Sequence, residues 1–383
     1  MTAPAVGYDI AAVVPADYTQ LARFLAEFGG QGAAVPGGKP FSIPGGGPGP
    51  GGTREFWLSR FRLWWDENPA FRPESPRGWM LRRRGEFCGF LANAPSLMLA
   101  GGRVLQVFSV STWMVGPEHR DASLDLLFKQ MESCKGTLLF DTTPTELVAA
   151  IIENLGFERL PWGGERESFV ALRPAACLKA RFAGGPFLPD WAWRGAGWLF
   201  GKLQGVRLGP GRQSQGLRVE GSKEAGPAFD RLWERTKGLH GLTNVRSGEV
   251  LRWHCFADAH VEKKLFSCWA KDEVVGWMIA KVRPRRGLRS LEVVDHWADP
   301  SVQGTFEALT SFLVSWARES GHDLLTFGHF SPAFEKALRS AGLLETSLRT
   351  RRRYCLVGPG CPVRVSPQAS YFTGLQGDYG TSP

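Results

Sequence analysis

Residues 107–130 read VFSVSTWMVGPEHRDASLDLLFKQ, and the reading of this stretch decides the fold. It opens as an apolar, β-branched run and breaks at Gly116-Pro117. It restarts with Leu124, Leu127, Phe128 and Met131 spaced as one helical face. A strand that enters a helix through a tight turn leaves several backbone N–H groups unpaired at the positive end of the helix dipole. A phosphate can dock there. Downstream, Thr137 to Phe140 reads as a buried strand, a helix starts at Pro144, and the tripeptide Leu155-Gly156-Phe157 follows it.

Around this stretch the chain reads as a regular α/β protein. Tyr8 to Val14 is an expected strand and Asp17 to Phe28 an amphipathic helix. Residues 29–53 hold 16 Gly or Pro in 25 positions, too many for any regular element, and are expected to form a solvated loop. A helix over Thr53–Glu67 carries Phe56, Trp57, Phe61, Trp64 and Trp65. A hairpin joins Gly78–Arg83 to Glu86–Ala94 across Arg84-Gly85.

The second half repeats the first. Val293-Val294-Asp295-His296-Trp297-Ala298-Asp299-Pro300 matches residues 110–117 at an offset of 183 residues. Ser331-Pro332 through Ala341-Gly342-Leu343 matches Thr143-Pro144 through Leu155-Gly156-Phe157 at an offset of 188 or 186. A repeat of this size implies two copies of one domain. The expected organisation is a first domain over 1–173, a connector over 174–216, and a second domain over 217–383.

Composition bounds the partners. The 383 residues carry a net charge of +9, which favours anionic partners such as CoA phosphates, lipid head groups, tRNA or acidic glycans. Seven scattered cysteines without C-x-x-C or Cys/His spacing point to reduced thiols and no metal. No signal-peptide pattern and no run of 18 apolar residues is visible, so a cytoplasmic protein is expected. Residues 187–208 interleave Trp191, Trp193, Trp198 and Phe200 with Arg194, Lys202 and Arg207. Such a segment can pack as a connector helix or lie in a membrane interface. The arginine clusters at Arg283–Arg286 and Arg349–Arg353 read as solvated strand ends, and no DNA-reading motif is present.

The order strand, V-x-P-x-x-R turn, helix, strand, helix and L-G-F resembles the acyl-CoA N-acyltransferase superfamily, GNAT, across residues 7–173 and again in the second half. The resemblance implies two tandem GNAT-like α/β domains, each a mixed, mostly antiparallel sheet flanked by helices. The order FDRLWER, LRWH and VVDHW is similar to tandem GNAT proteins linked to bacterial surface-polysaccharide synthesis. It implies an N-acyltransferase that uses acyl-CoA, with acetyl-CoA foremost, and an amino or hydroxyl acceptor on a sugar or lipid-linked glycan precursor. Two alternatives stay open: a non-catalytic binding or scaffold subunit, and a Fem-type transferase that uses aminoacyl-tRNA.

The family's pyrophosphate motif R/Q-x-x-G-x-G/A aligns Arg120 with its first position, Ser123 with the first glycine and Asp125 with the second small residue. The implied CoA contacts are Met114, Val115, Arg120, Asp121, Ala122, Ser123 and Leu124. The Tyr that often protonates the leaving thiolate is replaced by Ile152 and Leu338. The polar residues least explained by packing are Asp295 and His296, on an apolar strand where the family frequently places a base. His329, at the end of the next strand, could approach one of them. These three are the candidate catalytic residues.

Overall fold

The structure is a computed structural model that describes residues 7–30, 52–160, 166–183, 188–208, 216–347, 356–361, 363, 366 and 369–377. Most of the Gly/Pro-rich stretch 29–53 and all of Arg349–Arg353 lie outside the described residues. The first half runs β1 (Tyr8–Ala12), α1 (Tyr18–Gly30), α2 (Arg54–Phe61), β2 (Gly78–Arg83), β3 (Glu86–Ala100), β4 (Arg103–Val115), α3 (Ser123–Ser133), β5 (Leu139–Asp141), α4 (Glu146–Asn154), β6 (Glu158–Arg159) and β7 (Arg166–Ala171). The helices α5 (Pro174–Arg181) and α6 (Asp190–Leu208) follow. The second half runs β8 (Leu217–Ser222), α7 (Pro227–Thr236), β9 (Leu242–Asn244), α8 (Gly248–Phe256), β10 (Lys263–Ala270), β11 (Glu273–Val282), β12 (Ser290–Ala298), α9 (Thr305–Glu319), β13 (Leu324–Gly328), α10 (Pro332–Ser340), β14 (Leu344–Ser347), β15 (Leu356–Val357) and β16 (Ser370–Tyr371).

Local chemistry explains several element ends. Arg84 and Gly85 both have positive φ, which a two-residue hairpin turn requires, and Lys271 does the same between β10 and β11. The Oγ atoms of Thr53, Thr145, Ser247 and Ser331 each accept the backbone N–H three residues on, capping α2, α4, α8 and α10. Thr145 and Ser331 are thereby explained as caps. On α3 the buried face is Leu126, Leu127 and Gln130, whereas Leu124 and Phe128 are exposed, contrary to the sequence pattern. Gln130 enters the core because its amide bonds Trp79 Nε1 at 3.0 Å and Asn93 Oδ1. A polar residue with partners therefore takes a position that hydropathy alone gives to Phe128.

The strands form two mixed sheets of matching order, β1-β2-β3-β4-β5-β15-β6 and β8-β10-β11-β12-β13-β7-β14. Each sheet takes its strand between the fifth and last from the other half. β7 pairs antiparallel with β13 and β14, and β15 pairs antiparallel with β5 and β6. The sequence reading placed Arg166–Ala171 with the first domain and residues 356–357 with the second. The backbone instead exchanges them. Alternating hydrophobicity specifies which faces of a strand are buried, not which edge it joins.

Apolar packing binds the halves as well. One core cluster combines Met98, Val107 and Phe140 of the first sheet with Leu232, Leu251, Ile279 and Trp297 of the second half, and with Tyr371, Phe372 and Leu375 of the tail. Full burial of each such side chain contributes roughly 1.5–3 kcal/mol. An aromatic cluster beneath α1 and α2 includes Phe56, Trp57, Phe61, Trp64 and Trp65, where Phe61 stacks on Trp65 with centroids 5.1 Å apart. β9 joins the first sheet through β3, and Trp253 Nε1 on α8 donates to Leu63 O at 2.8 Å.

Buried charges tie the exchanged strand in place. Arg283 and Arg285 both bond Glu292, and Arg285 also reaches Glu167 on β7 at 3.4 Å. Arg283 is thus a buried partner rather than part of a solvated strand end. Along the same sheet Lys263, Lys281 and Glu292 are consecutive cross-strand neighbours, and all three are buried. Burial pushes Lys281 down to about 7 and Lys263 down to about 8.

Two outcomes follow from this architecture. A chain split between Gly184 and Gly185 should yield halves that fail to fold alone, because each sheet lacks an inner strand. Mixing or co-expression should restore one cooperative thermal transition, whereas a cooperative transition in either isolated half would contradict the exchange. The lysines carry fewer protons folded than unfolded above their lowered values, since the unfolded value is about 10.4. Stability should therefore rise with pH from about 7 to about 8.5, beyond which the burial-raised thiols oppose the trend. Lys281→Met should flatten that rise in melting curves across this window.

Candidate functional site

Both central strands run past the end of their pairing with the parallel neighbour and carry a bulge there. In β4, Thr112 and Trp113 oppose the single residue Leu91, and Thr112 takes φ 48°. β4 pairs with β5 only from Phe108 to Val110, although it continues to Val115. β12 carries its extra residue at Val294 and pairs with β13 only from Ser290 to Val293, although it continues to Ala298. In each half the central strand therefore runs on beyond the end of its parallel neighbour, with a bulge in that stretch, before the turn into α3 or α9.

The first turn is tighter than the sequence suggests. Pro117–Ala122 forms a 3-10 helix that runs directly into α3. His119 N donates to Gly116 O at 2.9 Å, and Ser123 N donates to Arg120 O. The Ser123 N–H expected to meet a phosphate is thus already used. Met114, Val115 and Ala122 are buried in core clusters, and Asp121 accepts from Tyr8 Oη at 3.2 Å. Leu124 and Arg120 face solvent, and Arg120 has no ion pair among the described residues. In the second half the N-cap of α9 is Gly304 at φ 83°, with no side-chain cap.

Tail residues occupy the place where β4 and β5 part. Thr142 Oγ1 donates to Gln376 O at 3.4 Å. A methyl group on Gly377 would stand 2.4 Å from Thr142 Oγ1 and 3.2 Å from Ser109 Oγ, so only glycine fits this approach.

The corresponding stretch of the second half holds the residues singled out by sequence. Asp295 takes two parallel bonds from Arg246, Nε to Oδ2 at 3.1 Å and Nη2 to Oδ1 at 3.2 Å. Arg246 Nη1 also reaches Thr243 Oγ1 and Asn244 O, and its guanidinium lies 4.7 Å over the Trp297 ring and 4.8 Å over Tyr371. Tyr371 donates to His296 O at 2.9 Å, which leaves its oxygen to accept from His296 Nδ1–H, also at 2.9 Å. His240 stacks on Tyr371 with centroids 4.7 Å apart and is the half-buried member of the group.

Electrostatics follow from enclosure. Burial raises the Asp295 carboxyl, and Arg246 opposes that rise. Burial, reinforced by the Arg246 charge, holds His296 well below its ordinary range and pushes His240 down to about 4. Both imidazoles are neutral at pH 7. Tyr371 is raised by burial and stays protonated.

Asp295 and His296 therefore come together, at 0% and 1% exposure, in one closed network. His329 does not join them. Its Nε2 lies 2.8 Å from Ser168 Oγ on the exchanged β7, because β13 has β7 as its other neighbour and the side chain turns there. Sequence reading missed Arg246, His240 and Tyr371. The signal for Tyr371 was slight, one of only five Tyr in a chain with 25 Phe. Ile152 and Leu338, where the family's acid often stands, are core residues at 0% exposure.

An open groove of about 470 Å³ lies between the halves, lined by Asp66, Asn68, Glu249, Arg252 and Trp253. Its polar groups are mostly engaged: Asp66 by Tyr18 Oη, Asn68 by backbone, and Arg252 by Ala225 O. It is a seam rather than a built site. Among the described residues no group of three or more metal-ligating side chains occurs.

No family model matches the chain, and no curated protein matches it by sequence. Solved structures do match. A GCN5-related N-acetyltransferase from Anabaena variabilis aligns with TM-score 0.54 and 12% identity over 91% of this chain and 72% of its own. A probable N-acyltransferase of Enterococcus faecalis, described as a conserved protein of unknown function, aligns with TM-score 0.54 and 9% identity over 91% and 71%. N-myristoyltransferase of Saccharomyces cerevisiae, with bound myristoyl-CoA, aligns with TM-score 0.54 and 11% identity over 97% and 89%. At these identities the likeness is one of fold, and the fold is that of the GNAT proteins, built twice.

The Arg246–Asp295 pair generates a stability test. Arg246→Met leaves a carboxylate buried without its partner and should cost about 3–5 kcal/mol in denaturant unfolding. Arg246→Met combined with Asp295→Leu should recover much of that loss. A single variant with unchanged stability would mean that the network is not held as described.

Proposed function

We propose that the chain transfers an acyl group from acyl-CoA, acetyl-CoA foremost, to an amino or hydroxyl group of a sugar or lipid-linked glycan precursor. The observation that carries the reading is a bulged central strand that outruns its parallel neighbour in each half, followed in the first half by a turn with a solvent-facing arginine free of ion pairs among the described residues. Acyl transfer needs the pyrophosphate held, the thioester carbonyl polarised and a proton removed from the nucleophile.

Arg120 supplies charge for the pyrophosphate at the turn after Met114 and Val115, with Leu124 and the start of α3 beside it. The fit is through a side chain more than through backbone, because Ser123 N is used within the turn and Asp125 adds a negative charge to the first turn of α3. The bulge at Thr112-Trp113 sets one residue of β4 off the ladder with β3, and its N–H is suited to polarise a carbonyl. In the second half Asp295 and His296 act as positioning residues that hold Arg246 and Tyr371 behind the half-buried His240. That half shapes the acceptor side.

A second reading is a non-catalytic binding subunit, or a transferase that uses aminoacyl-tRNA. It is favoured by the burial of Asp295, His296 and His329 and by the aliphatic residues at Ile152 and Leu338.

Calorimetry with acetyl-CoA and longer acyl-CoA separates these readings. Arg120→Ala should weaken binding by about 1.5–3 kcal/mol, the scale of a charge-assisted hydrogen bond. Asp125→Gly should tighten it by removing a like charge. Failure of wild type and both variants to bind at millimolar ligand would sink the acyl-CoA reading, and a tRNA mobility shift would then decide between the remaining two.

A further inference from the structure

Helix α6 has one face packed on the protein and one that no described residue covers. Gly197 lies so close to α5 that a methyl group there would stand 2.6 Å from the Ala175 backbone, and Gly201 faces the Pro174 ring. Gln204, buried on the same face, bonds both the N–H and the carbonyl of Ala171 at 3.0 Å. Spaced at i, i+4 and i+7, these residues fix α6 against α5 and the end of β7.

The opposite face carries Trp191, Trp198, Leu199 and Leu203, which are 72%, 67%, 56% and 60% exposed. Phe182 and Leu188, at the approach to the helix, are exposed as well. An apolar surface of this extent marks an interaction site. Its charge indicates the occupant. Residues 174–216 contain six Lys or Arg and a single acid, Asp190, which is paired with Lys179 at 3.0 Å. Lys202 Nζ sits 5.8 Å over the Trp198 ring, Arg181 lies 5.8 Å over Phe182, and Arg194 is exposed beside them.

We infer that α6 lies flat on an anionic phospholipid surface, with its rings and leucines in the interface and Arg181, Arg194 and Lys202 at the lipid phosphates. Indole rings favour the head-group level, and cations flanking them gain from anionic lipid. The helix lies on the bilayer rather than across it, because no described helix is long and apolar enough to span. A second copy of the chain fits the face less well, since it would set the same cations against one another. The inference rests on the helix alone and not on acyl transfer, so it can fail or hold independently of that reading.

Flotation of the full chain with vesicles tests it. Vesicles of phosphatidylcholine and phosphatidylglycerol should bind the protein roughly tenfold or more tightly than phosphatidylcholine alone at about 0.1 M salt. Trp191→Ser with Trp198→Ser should lower that binding roughly tenfold while leaving the melting temperature unchanged. Arg194→Glu with Lys202→Glu should abolish the preference for the anionic vesicles. No binding to anionic vesicles, or equal binding by wild type and the Trp variant, would overturn the inference. So would a concentration-dependent dimer that the Trp variant abolishes in the absence of vesicle binding.

Discussion

The fold depends on one constraint of the backbone: the slot beside β5 and the slot beside β13 each need a strand to pair with. An unpaired inner edge leaves donors and acceptors without partners, at a cost comparable to losing each bond. Here β15 fills the first slot and β7 fills the second, and each comes from the other half. The chain must leave the first sheet at β6, cross to deliver β7, and return near its end to deliver β15. The two copies of the domain are therefore completed by one another, and the shared apolar cluster beneath β9, α8 and the tail follows from that crossing.

The same crossing places the chemistry. Bulges in β4 and β12 lie just past the last pairs with their parallel neighbours, at the end of each sheet where its turn-and-helix begins. Because the tail returns to deliver β15 and β16, its last described residues lie against Thr142 and Ser109 of the first sheet and Tyr371 lies against His296 of the second. Arg246 then becomes central. It neutralises Asp295, stacks on Trp297 and Tyr371, and its charge adds to the burial that keeps His296 and His240 uncharged. A buried charge pair of this kind adds little net stability over an apolar substitute, but it penalises any packing that separates the partners. It holds the β9 loop, the central strand and the tail in one register.

The two turns have diverged in opposite directions. The first keeps the arginine but closes its backbone into a 3-10 helix, while the second loses the arginine and keeps a left-handed glycine at an uncapped helix start. The first turn therefore presents a solvent-facing arginine, and the second presents a glycine at its helix start.

Local physics, read from the sequence, determined a large share of this molecule. Turn residues such as Arg84-Gly85, cap residues such as Ser331 and the period of each apolar pattern are properties of a few neighbouring residues. The element order, the internal repeat and the α/β class were legible for that reason. Burial polarity was less so: Gln130 and Arg283 are buried because each has a partner, and hydropathy does not record partners. The destination of β7 and β15, the pairing of Arg246 with Asp295 across 49 residues and the contact of Tyr371 with His296 across 75 were decided only by the tertiary structure. A strand's alternation fixes which of its faces turns inward but leaves its edge partner open, and a buried charge has many possible partners in a chain of this length. Only the closed packing of both halves selects one of them.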